Sequence, residues 1–251
     1  MTGVESLSAV LRASGPAVVP YLTAGYPDMD GFVQWLDGLT AIAPAVEVGI
    51  PFSDPMADGT SIQESSRLAL AAGTTLEKVL VTLEGRNPDP TPLIVMSYLN
   101  PLLSFGIERV MPRFAAGGVC ALVVPDLPLE ESEPVAGPAA DAGIGLVQMV
   151  TPMTDPDRLG VLCSRSHGFV YAVTMTGTTG GAVADSAAVG EYLDRVRSHA
   201  DVPVLAGFGV RTREQVRALA PHCDGVIVGS AIVEAIASGG SPVDLVEELN
   251  G

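Results

Sequence analysis

A chain of 251 residues, 47% hydrophobic but only 17% charged and 5% aromatic, is long enough to bury a large core built mainly from aliphatic side chains. Its net charge of −16, from 29 Asp plus Glu against 13 Lys plus Arg, excludes a broad nucleic-acid footprint, because no basic face can be assembled from it. No apolar run reaches the roughly 18 residues of a membrane span and the start carries no secretion-signal pattern, so a soluble cytoplasmic protein is expected.

An extra N-terminal helix is expected over 3–14, then a strand at 18–22 and a helix over 28–41, in which Trp35 reads as a packing residue. The second strand, 45–48, leads into Val46-Glu47-Val48-Gly49-Ile50 and then Pro51-Phe52-Ser53-Asp54-Pro55-Met56-Ala57-Asp58-Gly59. Glu47 is a charge inside an apolar segment, which is costly unless it is paired, hydrogen-bonded or functional. If Glu47 ends a strand, the loop behind it can place Asp58 over the same cavity, with Asp54 before Pro55 shaping the loop. A helical pattern runs over 61–85, with a break near Gly73, and carries the chain's one lysine, Lys78, on a solvated face.

A third strand at 93–97 is followed by Tyr98 and Asn100, read as rim residues, and by a helix over 105–117. The fourth, 121–124, ends in Val124-Pro125-Asp126-Leu127-Pro128, where Asp126 either orients a loop or makes a turn. A helix over 131–142, a strand at 145–150 and a helix over 155–165 come next, the last announced by the cap sequence Thr154-Asp155-Pro156-Asp157. Strand six, 169–174, carries Tyr171, which fits equally a hydrogen-bond donor or wall of a site and a buried structural tyrosine. A helix over 187–200, a strand at 202–206, a helix over 211–220, a strand at 225–228 and a segment 230–249 with a Gly-Gly break at 239–240 complete the chain.

Eight alternations of strand and helix in this length, without a composition break, predict one closed (β/α)8 TIM barrel spanning 1–251 as a single domain. In such a barrel the strand ends and following loops form the active face, so Glu47, Asp58, Asp126, Tyr171 and Thr179 converge there. Three small-residue turns follow late strands: Thr176-Gly177-Thr178-Thr179-Gly180-Gly181, Gly207-Phe208-Gly209-Val210 and Gly229-Ser230-Ala231. Glycine lets backbone N–H groups approach phosphate oxygens, and Ser230 adds a hydroxyl where a helix opens. The alternative is that glycine here only relieves tight turns. Phe208 fits a ring cover and a core layer equally well. His167, His199 and His222 fall at the opposite end of the barrel, and neither they nor Cys120, Cys163 and Cys223 show a metal-ligand spacing.

Taken together these motifs closely resemble the tryptophan synthase alpha subunit family, from the N-terminal helix to the last one. The resemblance rests on the stretch from Glu47 to Gly59, on Val124-Pro125-Asp126-Leu127-Pro128, Thr176-Gly177-Thr178-Thr179-Gly180 and Gly207-Phe208-Gly209, and on Gly229-Ser230-Ala231-Ile232-Val233. It implies a (β/α)8 lyase that cleaves indole-3-glycerol phosphate to indole and glyceraldehyde 3-phosphate. It also implies a beta-subunit partner, in an alpha2-beta2 assembly, with pyridoxal phosphate in that partner and no cofactor in this chain. By resemblance Glu47 is the acid/base and Asp58 the carboxylate that binds the indole N–H. Tyr171 is a substrate-site residue, Asp126 couples loops to the partner and Thr179 belongs to a closing loop, while Gly180, Gly209, Gly229 and Ser230 bind phosphate. Thr60 stands where many relatives carry Pro, and Met175 where some carry Arg; both bear on loop closure.

The residue inventory agrees with that chemistry. Retro-aldol cleavage needs an electron sink; a Schiff base is disfavoured by the position of Lys78, and a metal by the missing ligand spacing. Protonating the indole ring at C3 supplies the sink from the substrate itself. A stand-alone lyase of secondary metabolism and a catalytically weak regulatory subunit fit the same sequence, and dependence on a partner separates them.

Overall fold

The aliphatic runs of this sequence, unbroken by alternation, are suited to parallel strands covered on both faces. The structure, a computed structural model, describes residues 3–86, 91–174, 186–207 and 209–251. Among these residues eight parallel strands close into a barrel in sequence order: β1 Ala17–Thr23, β2 Val46–Gly49, β3 Leu93–Met96, β4 Val119–Val123, β5 Gly145–Val150, β6 Val170–Val173, β7 Val204–Gly207 and β8 Gly225–Val228. The ring is sealed where Val18 of β1 pairs Val226 of β8. Apart from the half-buried Cys120, Met149 and Val173, every strand residue is buried, as expected for a sheet filled inside and covered outside by helices.

The covering helices are α1 Gly3–Ala13, α2 Met29–Thr40, α3 Thr60–Ala71, α4 Leu76–Glu84, α5 Leu99–Phe105, α6 Ile107–Ala116, α7 Glu133–Asp141, α8 Pro156–Arg165, α9 Ser186–Arg197, α10 Arg213–Leu219, α11 Ser230–Ala237 and α12 Pro242–Asn250. Their starts follow local chemistry. Asp28, Thr75, Asp155, Thr212 and Ser241 each accept a backbone N–H of the first turn, and Thr212 with Gln215 completes a capping box. The expected break in 61–85 falls at Gly73, whose φ of 82° lies in the left-handed region, and Gly239 (φ 77°) separates α11 from α12.

The additional helix α1 lies across the N-terminal end of the barrel. Ser8 Oγ donates to the carbonyl of Gly168 at 2.7 Å, just before β6. A Cβ on Gly145, at the start of β5, would sit 2.5 Å from Val4 Cγ2. Leu7 and Leu11 of α1 itself are fully buried. The active face of such a barrel is the other end, where the strands finish.

Several boundaries differ from the sequence reading. The helix expected over 105–117 is α6, which starts after Gly106 (φ 99°), and a further, unexpected helix, α5, precedes it over Leu99–Phe105. The start of α5 takes no cap from its own neighbour Tyr98; instead the Asp126 carboxylate accepts the Leu99 N–H at 2.9 Å, from 27 residues away. Strand β4 begins at Val119, earlier than the expected 121, beside a register shift at Leu93/Ile94.

Candidate active site

Strand β2 is four residues long, and its register sets Glu47 opposite Tyr21 of β1 and Ile94 of β3. Alternation turns Glu47 and Gly49 to one face and Val46 and Val48 to the other. Glu47 is 1% exposed, and its Oε1 has no hydrogen-bond partner among the described residues. Burial, and then the charge of nearby Asp58, push its carboxyl up to about 8. An unsolvated carboxylate is costly, so the proton stays on near neutrality.

Asp58 reaches the same region from the loop after β2 and is 5% exposed. Its N–H donates to the Pro55 carbonyl at 3.2 Å, and its own carbonyl accepts from Gln63 Nε2 at 2.9 Å. Burial raises its carboxyl to about 7, against a hydrogen bond from the Tyr98 hydroxyl that works the other way. Tyr98 fixes the loop twice. Its hydroxyl accepts the Ala57 N–H at 2.9 Å, and its ring stacks on Phe52 at 5.2 Å between centroids. Tyr98, expected at the rim, is 3% exposed and holds Ala57 and Asp58 of the loop through its hydroxyl. Asn100 is exposed in the first turn of α5.

Two tyrosines complete the wall. Tyr171 is buried on β6, and a Cβ on Gly207 would lie 2.3 Å from its Cε1; Tyr21 on β1 stands in the same relation to Gly49, with 2.0 Å to its Oη. Only glycine leaves room for either ring. Both hydroxyls are held well above the usual tyrosine range by burial first and then by the nearby carboxyls, so both stay neutral. Tyr21 is the site residue that the sequence did not single out, since only the register with Glu47 marks it.

The remaining expected residues spread over the same end of the barrel. Asp54 is exposed, takes the Ser53 hydroxyl at 2.6 Å and, through its carbonyl, the Met56 N–H at 2.9 Å. Asp126, also exposed, joins the loop after β4 to α5 through Leu99. Gly209, with φ 88°, follows β7; Gly229, between β8 and α11, and Ser230, the first residue of α11, are half-buried. The three thus occupy the turns after strands seven and eight, where a barrel offers backbone N–H groups and a helix start to an anion. Gly180, Thr179, Phe208 and Met175 lie outside the described residues.

The lysine and two of the histidines have partners of their own. Lys78 Nζ donates to the Gly73 carbonyl at 2.7 Å on an exposed helix end. His222 Nδ1 faces Asp194 Oδ2 at 3.0 Å and His199 Nδ1 faces the Arg195 carbonyl at 2.8 Å, both on the side where strands begin. Among the described residues no group of three or more His, Cys, Asp or Glu could hold a metal ion.

A family model described as tryptophan synthase alpha chain matches residues 7–248. The chain belongs to that family. Tryptophan synthase from M. tuberculosis, in an open form with BRD0059 bound, is 31% identical with a TM-score of 0.88, over 100% of this chain and 98% of that one. The same organism's enzyme in space group F222 is 35% identical with a TM-score of 0.87, over 99% and 95%. A mutant tryptophan synthase alpha-subunit from the hyperthermophile Pyrococcus furiosus is 35% identical with a TM-score of 0.84, over 93% and 97%. As a tryptophan synthase alpha chain it is a carbon–carbon lyase of tryptophan biosynthesis, with retro-aldol cleavage of indole-3-glycerol phosphate as its reaction. No helix among the described residues is long and apolar enough to cross a membrane.

Proposed function

We propose that Glu47 and Asp58 divide the work of this cleavage, one as proton carrier and one as charge stabiliser. The observation that carries the reading is a buried carboxyl with an unpartnered oxygen, held protonated up to about 8, beside a second carboxyl at about 7. Protonated Glu47 delivers its proton to C3 of the indole ring, which makes the ring an electron sink. The carboxylate of Asp58 accepts the N1–H hydrogen bond and favours the positive charge developing there. The bond between C3 and the glycerol phosphate chain then breaks as the neighbouring hydroxyl loses its proton to Glu47, leaving an aldehyde and aromatic indole. One proton is delivered and one recovered, so Glu47 ends as it began.

Tyr171 is assigned to the wall of the ring site, with Phe208 as its cover and Asn100 at the rim. Gly209, Gly229 and Ser230, with Gly180, are assigned to the phosphate, and Thr179, Asp54 and Asp126 to loop closure and coupling. The step needs no cofactor in this chain; pyridoxal phosphate is assigned to a beta subunit in an alpha2-beta2 assembly. That partner is supported by exposed apolar side chains beside three of the βα connections: Met56 (76% exposed), Leu103 (55%) and Met153 (81%). The reading treats 1–251 as one catalytic domain and carries a cytoplasmic location with it.

The test is indole release from indole-3-glycerol phosphate by the purified chain, with and without a beta subunit. Release that rises at least about tenfold with the partner is expected. Release unaffected by the partner would make the chain a stand-alone lyase, and none in either condition would reduce it to a regulatory subunit.

A further inference from the structure

Three of the connections that build the site are tied together by one side chain that the mechanism does not use. Glu234 lies on α11, one turn beyond Ser230. Its Oε1 accepts the Ser61 hydroxyl at 2.6 Å, and its Oε2 is hydrogen-bonded and ion-paired to Arg211 Nη2. Ser61 is in the first turn of α3, three residues after Asp58; Arg211 follows Gly209 by two residues. One carboxylate therefore joins the loop of Asp58, the turn after β7 and the helix after β8, with a separate oxygen for each of the other two.

The neighbouring contacts keep this junction from being a loose surface pair. The Arg211 N–H donates to Gln215 Oε1 at 2.7 Å, within the capping box that fixes the start of α10. A Cβ on Gly229 would lie 3.2 Å from Ile62 Cδ1, so α3 already sits close against the start of α11. The Arg211 and Glu234 side chains are 47% and 42% exposed, and an ion pair so solvated adds little to stability. Geometry is what it can contribute.

We propose that Glu234 is a positioning residue that couples the phosphate turns to the loop carrying Asp58, so that a phosphate seated at Gly209, Gly229 and Ser230 helps to set Asp58 against the ring. This inference rests on the lyase reading above. Ser61 and Arg211 act through Glu234 and reach the reacting atoms only through the loops they hold.

The test is a mutant cycle on indole release by the purified chain, with thermal midpoints measured alongside. Ser61→Ala and Arg211→Ala are each expected to lower kcat/KM about fivefold, within the range of coupling through such networks. The double variant should lose no more than about the larger single loss, because both break the same link. In a Glu234→Ala background neither should cost more than about a further twofold. Ser61→Ala and Glu234→Ala should also displace the acid limb of the kcat/KM–pH profile, which a loss of bulk stability would not move. Losses that add independently of Glu234, or variants that keep the wild-type rate and pH profile, would overturn the clamp. If the wild-type chain itself releases no indole, the lyase reading fails and the clamp with it; a wild-type chain that cleaves while the losses add sinks the clamp alone.

Discussion

At the scale of single residues, Glu47 must hold a proton and Asp58 must have lost one, and burial alone pushes both the same way. The causes differ between the two: the charge of Asp58 adds to the burial of Glu47, whereas the Tyr98 hydroxyl offsets part of the burial of Asp58, so the shared proton is favoured on Glu47. The active microstate is thus most populated where the pair together holds one proton. As pH falls from there Asp58 gains a proton and stops accepting the ring N–H; as pH rises Glu47 loses the proton it must deliver. We predict a bell-shaped kcat/KM whose limbs belong to the coupled pair. Asp58→Asn should lower kcat by about 10²–10³-fold, as when a charge-stabilising group is removed. It should also abolish the acid limb and move the basic limb to lower pH, because the Asp58 charge is the second cause of Glu47's raised value. A profile unchanged in shape would contradict these roles.

At the scale of elements, the barrel places the site by pairing short strands whose inner layer includes two rings admitted by two glycines. Gly49→Ala would put a methyl group 2.0 Å from the Tyr21 hydroxyl, inside a wall already packed on both sides. Overpacking of this kind costs about 1–3 kcal/mol. At about 2–4 °C per kcal/mol for a chain of this size, the melting temperature should fall by about 2–12 °C, with activity lost as Tyr21 shifts toward Glu47. An unchanged midpoint in a thermal melt would show that the ring yields freely. Element order was legible from composition and periodicity: β5 and β8 occupy 145–150 and 225–228 as read, because each is an aliphatic run opened by glycine. Glu47 was legible for the opposite reason, as the one carboxylate in an apolar strand. What escaped the sequence depends on chain segments meeting: α5 is started by a carboxylate 27 residues on, Tyr98 holds Ala57 of the loop after β2, and Tyr21 is marked only by its register with Glu47. Glu234 sits in an ordinary helical stretch, and only its reach to Ser61 and Arg211 distinguishes it.

At the scale of the whole molecule, the two ends of the barrel have separate tasks. Helix α1 covers the end where strands begin, with Leu7 and Leu11 fully buried. The other end carries the carboxyl pair and the exposed Met56, Leu103 and Met153. A strongly acidic chain that exposes apolar side chains around its active face is suited to a protein partner rather than to a nucleic acid. If a beta subunit docks there, Met153→Asp should cut its stimulation of indole release by about tenfold, the scale of one lost interface anchor. Release by the isolated chain should stay within about twofold of wild type, since the Met153 side chain is 81% exposed. Undiminished stimulation in a partner titration would place the docking surface elsewhere.

The most direct test of the account is single-turnover indole release by Glu47→Gln beside the wild-type chain, with substrate binding measured separately. The amide keeps the shape of the side chain but cannot give up or recover a proton. We predict a loss of about 10³-fold or more in release, with substrate affinity within about threefold of wild type because the phosphate contacts remain. Substantial release by purified Glu47→Gln would contradict the assignment of Glu47 as the proton carrier.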